Sequence, residues 1–333
     1  MAAELTTVSE DAATFHDGTT VEQMGGLEPD HDYKHLGIPF RTLPRPAGAL
    51  RCRLGTVNDV HFGEVEAGRI DESDLGPILR ADPDDDPYPE TMNRAAVAEM
   101  AAADLAAVVV KGDLTDDGKA EEFAAFEACY RPAFGARLHV VRGNHDAFHG
   151  QTEYAGDQWL ELPGVAVALL DTTIPRAPTG HLSAEQLDWL DAGAAASTVP
   201  VIAMGHHQQW TEGERNPEYF GINPDASDAL TDVISRRPAI VAYTAGHTHR
   251  HRVRRVDGGV PSIEVGCVKD FPGTWAEYRV YDGGILQVVH RVSSPEALAW
   301  SEACRALYAD YGIDYSRYAM GHLEHRCFEI TLR

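Results

Sequence analysis

No apolar run in this chain approaches the ~20 residues that a membrane-spanning helix requires, so no membrane span or membrane partner is expected. Cysteine is scarce as well. The five present, Cys52, Cys129, Cys267, Cys304 and Cys327, are scattered, odd in number, and form no Cys-x-x-Cys pair. That argues against a disulfide framework or a cysteine zinc site, and predicts reduced thiols in a cytoplasmic protein. Positive charge is the third shortage: 28 Lys and Arg stand against 52 Asp and Glu, a net charge of -24 with histidine neutral. Such a surface repels nucleic acid, which is not an expected partner. An anionic substrate then needs a site with positive charge of its own, and metal ions would supply it. The acidic N-terminal stretch MAAELTTVSEDAATFHDG has no apolar h-region, so no secretory signal is expected.

What is present suits a globular chain. Of 333 residues 44% are apolar, enough for a substantial core in one large domain with appendages or in two modest ones. Residues 1–48 lack helical periodicity and read as a short β-rich segment packed on the main body, or as a partly ordered leader. Their Leu27-x-Pro29-x-x-x-Tyr33 spacing resembles a tyrosine corner. Residues 49–257 alternate short apolar runs with amphipathic stretches: RCRLGTV, LAAVVV, RLHVV, GVAVALLDT, VPVIAM and AIVAYTA read as strands. ETMNRAAVAEMAAAD, EEFAAFEACYRPAFG, SAEQLDWLDAGAA and ASDALTDVISRR read as helices, the third opened by Ser183. This alternation predicts α/β layering. Residues 258–333 hold three strand-like pieces, then SPEALAWSEACRALYADYG as one helix with Pro295 in its first turn. They complete the core or form a cap or dimer element, and a homodimer is among the expectations. The acidic stretch 81–90 reads as a solvated loop.

Chemistry gathers where the runs end. Five of them finish in a short polar motif: Asp59-Val60-His61, Gly112-Asp113, Gly143-Asn144-His145-Asp146, Gly205-His206-His207 and Gly246-His247-Thr248-His249. Open α/β sheets bind ligands at the carboxyl ends of their strands, and glycine lets the backbone turn sharply there. Taken singly each motif is weak, and a lone histidine after a strand is more often structural. Together they offer seven oxygen and nitrogen donors and no thiolate: Asp59, His61, Asp113, Asn144, His206, His247 and His249. The set suits Mn, Fe, Zn, Co or Ni better than Ca or Mg alone. Seven donors exceed the needs of one catalytic ion and match two ions sharing a carboxylate. The i, i+2 spacing of His247 and His249 in an extended segment would put both on one side of the chain. His251, next in that alternation, reads as surface.

The ordered set D-x-H, G-D, G-N-H-D, H, G-H-x-H resembles the calcineurin-like metallophosphoesterases over roughly residues 52–256, nearest the bacterial class III cyclic nucleotide phosphodiesterases and glycerophosphodiesterases. The stretches GDLTDDG, GNHD, GHLSAEQLDWLD and GHTH carry the likeness. Gln208-Gln209 stand where the group usually has two prolines, which would loosen one wall of the pocket. The resemblance implies a four-layer α-β-β-α sandwich of two mixed sheets flanked by helices. It also implies two transition-metal ions, among Mn, Fe, Zn or Co. One would be held by Asp59, His61 and His249, the other by Asn144, His206 and His247, with Asp113 bridging.

The implied reaction is hydrolysis of a small phosphodiester, foremost a 3′,5′-cyclic nucleotide, by a hydroxide held between the ions. Two divalent ions bring about +4 and their anionic ligands cancel about 3, leaving about +1 for the phosphate. His145 would stabilise the transition state and protonate the leaving oxygen, with Asp146 orienting it or a ligand histidine. Asn144, His145 and His207 would face substrate. Arg142 reads as a phosphate contact or a surface residue, Asp116 and Asp117 as solvent-facing or capping residues, and Trp210 and Tyr219 as a base-binding wall or as packing. The alternatives are a phosphomonoesterase or nucleotidase with the same ions, and a non-catalytic scaffold, against which the complete donor set argues.

Overall fold

The computed structural model describes residues 3–70 and 73–333; Met1 and Ala2 of the acidic leader, with Asp71 and Glu72, lie outside the described residues. Five short strands come first: β1 (Glu4–Val8), β2 (Ala12–Asp17), β3 (Thr20–Gly25), β4 (Asp32–His35) and β5 (Ile38–Arg41). The alternating core begins with β6 (Leu50–Val57), α1 (Tyr88–Ala102), β7 (Ala107–Lys111), α2 (Ala120–Phe134) and β8 (Leu138–Val141). It continues through β9 (Gln158–Leu162), β10 (Val165–Leu170), α3 (Ala184–Ala196), β11 (Val201–Gly205), α4 (Pro224–Arg236) and β12 (Ile240–Ala245). The remainder holds β13 (Arg252–Arg255), β14 (Pro261–Glu264), β15 (Thr274–Tyr281), β16 (Gly284–Arg291), α5 (Pro295–Ala303), α6 (Tyr315–Met320), α7 (Leu323–Arg326) and β17 (Phe328–Thr331).

Two six-stranded mixed sheets form the centre, in the orders β17-β16-β15-β6-β7-β8 and β13-β14-β12-β11-β10-β9. β6, β7 and β8 run parallel, as do β10, β11, β12 and β14. The apolar runs sort themselves by the two-residue period of a strand. Ala107 and Val109 of β7 meet Val165, Val167 and Leu169 of β10 in the layer between the sheets. Val108 and Val110 face the other way, onto Met92, Met100 and Phe126 of α1 and α2. Ala166, Ala168 and Leu170 face Leu187, Leu190, Leu230 and Val233 of α3 and α4. The result is the expected α-β-β-α sandwich, with helices covering both outer faces.

Local chemistry sets the helix ends. Ser183 accepts from the Gln186 amide at 3.2 Å and the Gln186 side chain returns to the Ser183 amide, a reciprocal cap. Asn223 caps α4 and Ser294 caps α5. The single helix expected after Ser294 is a correction: α5 ends at Ala303, and Tyr308 takes a left-handed φ of 62°. Packing overrides propensity there, because Cys304 and Leu307 bury themselves against Ala67 and Phe271, and the chain turns between short segments.

The N-terminal strands lie against the core. Thr7 Oγ1 donates to the Val289 carbonyl at 2.7 Å, and Glu10 takes the Arg279 guanidinium at 2.8 Å and the Tyr281 hydroxyl at 2.6 Å. The Tyr33 hydroxyl accepts the Glu28 amide at 2.8 Å, the short upstream bond of a tyrosine corner. Strands β14 to β17 belong to the two central sheets.

Candidate metal centre

The parallel strands of both sheets deliver their polar motifs to one edge of the sandwich. The backbone there is unusual. Asp59, His61, Asp113, His247 and His249 all have positive φ, between 48° and 67°. For a residue with a Cβ this conformation costs roughly 1–2 kcal/mol, and it recurs at functional sites. Two glycines permit close approach. A Cβ on Gly112, itself at φ 82°, would come within 2.5 Å of the His206 ring, and one on Gly143 would collide with the Asp113 carboxylate.

The seven candidate donors converge. Asp113 sits between two groups, its Oδ2 lying 3.5 Å from His61 Nε2 and 3.2 Å from His206 Nε2. On one side Asp59, His61 and His249 bring a donor atom each to within 4.8 Å of one another. On the other, His206 Nε2 lies 3.1 Å from Asn144 Oδ1 and 3.2 Å from His247 Nδ1. His206 Nδ1 is 2.9 Å from the Lys111 carbonyl, which only accepts; Nδ1 therefore carries a proton, and Nε2 is the nitrogen that would turn to a bound cation. Six of the seven are buried, and the His249 side chain is 19% exposed.

This donor set fits cations. Both ring nitrogens of His61 and Nε2 of His247 are buried without a hydrogen-bond partner. Buried polar atoms rarely go unpaired, and here acceptors face acceptors around common points. The electrostatics agree. Burial alone would lower the His206 imidazole, yet the Asp113 carboxylate, aided by Asp59, raises it to about 9. Burial would raise Asp113, but His206, His145 and His61 hold it well below the usual carboxylate range. Nitrogen and oxygen donors without thiolate suit first-row transition ions.

Several expectations need correction. His247 and His249 do not alternate along an extended strand; the segment after β12 is a series of bends, and left-handed turns at both residues aim them inward. His251 is buried, its Nδ1 accepting the Gly266 amide at 3.1 Å while Nε2 faces Thr274 Oγ1 at 3.2 Å. Asp146 reaches neither His145 nor a ligand histidine. Its carboxylate accepts the amides of Gly143, Leu114 and Thr115 and the Thr115 hydroxyl, which fixes the 112–115 loop to the 143–146 loop. Arg142 is neither exposed nor free for phosphate, since it binds Asp171 at 2.9 Å and the Gln151 carbonyl. His207 does not face the cleft. It is fully buried beside Thr172, with a ring nitrogen within 4.8 Å of His206 and His247 donors. Gln208 and Gln209 leave no loose wall, because their amides bind the Phe220 carbonyl and, at 2.9 and 2.7 Å, Ser227 and Thr231.

His145 lies at the cleft with its Nδ1 2.6 Å from the Asp116 carbonyl and its amide donating to Asp113 Oδ1 at 3.0 Å. Burial would lower its imidazole, but Asp113 and the Asp116 carbonyl and carboxylate leave it raised. The cleft measures about 750 Å³ and is also lined by Lys269, Tyr308 and Tyr315, the first and last of them buried. Neither Trp210 nor Tyr219 lines it; Phe220, next in sequence, does.

Sequence reasoning missed one group here. Asp270 Oδ2 lies 3.9 Å from His249 Nδ1, and its Oδ1 takes the Tyr315 hydroxyl at 2.8 Å. Lys269 bridges Asp270 at 3.0 Å and Glu64 at 2.7 Å. The clue was visible, since the strand-like "PSIEVGCV" is followed directly by Lys269 and Asp270.

Residues 53–251 match the model of one family, the calcineurin-like phosphoesterases. A probable cyclic nucleotide phosphodiesterase of Synechococcus is 25% identical over 149 residues, covering 43% of this chain and 57% of that protein. The 3′,5′-cyclic adenosine monophosphate phosphodiesterase of Pseudomonas aeruginosa is 27% identical over 157 residues, covering 43% and 54%. The chain thus spans about half the length of the curated relatives it matches. A dimetal phosphatase from Danio rerio superposes with a TM-score of 0.57 at 14% identity, over 86% of this chain and 100% of that one, a likeness of fold.

Proposed function

Because this chain belongs to the calcineurin-like phosphoesterases, we propose that it is a dinuclear metal-dependent phosphodiesterase of small diesters, with 3′,5′-cyclic nucleotides the leading substrate class. The observation that carries this reading is the pair of donor groups that share Asp113 at the floor of one cleft. Asp59, His61 and His249 would hold one ion, Asn144, His206 and His247 the other, and Asp113 both. Two such ions, when bound, supply Lewis acidity and bring a bound water's pKa toward neutrality.

The chain's own residues do the rest. The Asp113 carboxylate is fixed by the His145 amide, so the shared ligand and the candidate acid are set by one bond. His145 Nδ1 donates to the Asp116 carbonyl, which leaves Nε2 to face the cleft and to hydrogen-bond a phosphoryl or leaving oxygen. The Lys111 carbonyl keeps His206 in the tautomer that offers Nε2. The similarity to cyclic nucleotide phosphodiesterases supports the diester preference. Five free thiols, four of them buried, accord with the cytoplasm as its location.

The test is a rate ratio with a metal assay. After loading with Mn²⁺, kcat/KM on bis-p-nitrophenyl phosphate is expected to exceed that on p-nitrophenyl phosphate, with about two ions bound per chain. A ratio well below one would make the protein a monoesterase. Little bound metal and no activity would make it a scaffold.

A further inference from the structure

Four large apolar side chains that face solvent line the cleft that holds the donor cluster: Ile70, Phe220, Ile313 and Tyr318. Phe220 is 53% exposed and Ile313 40%. Single exposed apolar residues are ordinary on a protein surface. Several gathered at one opening are not, since apolar area left in water forgoes the stabilisation that burial gives.

The patch is anchored to the same loops that carry the histidines. The Phe220 ring lies 4.0 Å from the His247 ring, centroid to centroid and tilted by 31°, so one face of a half-exposed aromatic rests on a candidate ligand. Its backbone carbonyl is held by the Gln208 side chain. The Tyr318 hydroxyl donates to the Thr248 carbonyl at 3.1 Å, and the Arg250 guanidinium sits 5.2 Å over its ring. The two cationic side chains of the lining, Lys269 and Arg69, are already paired with carboxylates. Lys269 is taken by Glu64 and Asp270, and Arg69 by Glu66 and Asp74. A polyol entering here would find few unpaired donors, whereas a flat apolar group would find aromatic faces already in place.

We propose that Phe220, Ile313 and Tyr318 receive an aromatic or apolar group carried by the phosphate, so that the substrates are phosphodiesters with such a substituent rather than esters of small polar alcohols. This deepens the phosphodiesterase reading and rests on it. The C-terminal stretch thereby contributes specificity, because Ile313 and Tyr318 come from the turns and short helix that follow α5.

Phosphonates test the surface without turnover. Calorimetry on the Mn²⁺-loaded protein is expected to find phenylphosphonate bound about tenfold more tightly than methylphosphonate. Phe220→Ser and Ile313→Ser, each at an exposed side chain, are expected to shrink that ratio threefold or more. Equal binding of the two ligands by the wild type would overturn the proposal, as would an unchanged ratio in both variants. Failure of the diesterase reading is seen separately, as hydrolysis of p-nitrophenyl phosphate without hydrolysis of its bis ester.

Discussion

Asp146 and Thr115 are joined twice: one carboxylate oxygen, Oδ1, accepts the Thr115 amide at 2.9 Å and the Thr115 hydroxyl at 2.7 Å. The other oxygen takes the amides of Gly143 and Leu114 at 2.8 and 3.1 Å. One buried carboxylate therefore fixes the spacing of the two loops that present Asp113 and Asn144. Asp146→Ala strands these donors in a dry interior, where each unmet group costs about 1–3 kcal/mol. The variant is expected to lose about 3 kcal/mol or more in urea unfolding and to bind metal more weakly. Unchanged stability with a lower kcat would restore Asp146 as the partner of His145.

The second prediction concerns acid. His16 on β2 is buried, with Nδ1 2.7 Å from Thr6 Oγ1 and Nε2 unpartnered. Burial first, then the charge of Arg291, lowers its imidazole to about 4. A depressed folded-state value means the unfolded chain takes up the proton first. The stability is present above the unfolded value near 6.5 and is lost as pH falls toward 4, at most about 3 kcal/mol. His16→Gln stays neutral and can still hydrogen-bond Thr6 Oγ1. Its loss of stability between pH 7 and pH 4.5 is expected to be smaller than the wild type's by about 2 kcal/mol, read from paired urea titrations. Equal losses would remove His16 from the account of acid sensitivity.

The alternation Ala107, Val108, Val109, Val110 announces a strand buried on both faces, and the layers follow from it. The strand-end motifs are legible because metal chemistry restricts residue type and the turn demands glycine. The partner of a side chain is not encoded locally. Asp146 stands beside His145 in sequence, yet three of its four bonds go to another loop, to Leu114 and Thr115. His251 continues a pattern of histidines, yet Gly266 and Thr274 claim it. Asp270 approaches His249 only because β14 lies beside β12, a pairing set by the whole sheet. Gln208 and Gln209 bind the Phe220 carbonyl and residues of α4, partners that sequence alone does not name.

Asp270 gives the third prediction. A carboxylate facing the outer nitrogen of a metal-binding histidine sets its orientation, and losing it typically weakens metal binding by about 10–100-fold. Asp270 is fully buried and held by Tyr315 and Lys269, so its position is well defined. Asp270→Asn keeps the shape and removes the charge. The expected outcome is weaker binding of one of two ions in a competition with a metal-sensitive dye, while Tyr315→Phe, which leaves the carboxylate in place, has a smaller effect. Equal affinity for both ions in Asp270→Asn would show that His249 needs no such partner.

His145 gives the last. It touches the centre through its backbone, whose amide holds Asp113 Oδ1, and faces the cleft with its ring. His145→Ala preserves the amide and removes only the imidazole. Metal content should stay at the wild-type level, because Asp113 keeps its bond, while kcat on bis-p-nitrophenyl phosphate falls by about 10²–10⁴, the usual worth of a placed acid or base. A substrate with a better leaving group needs less help from an acid, so the deficit should shrink as the leaving phenol becomes more acidic. A deficit that is the same for every leaving group would leave His145 with a charge-stabilising role alone, and a wild-type kcat would exclude it from the chemistry.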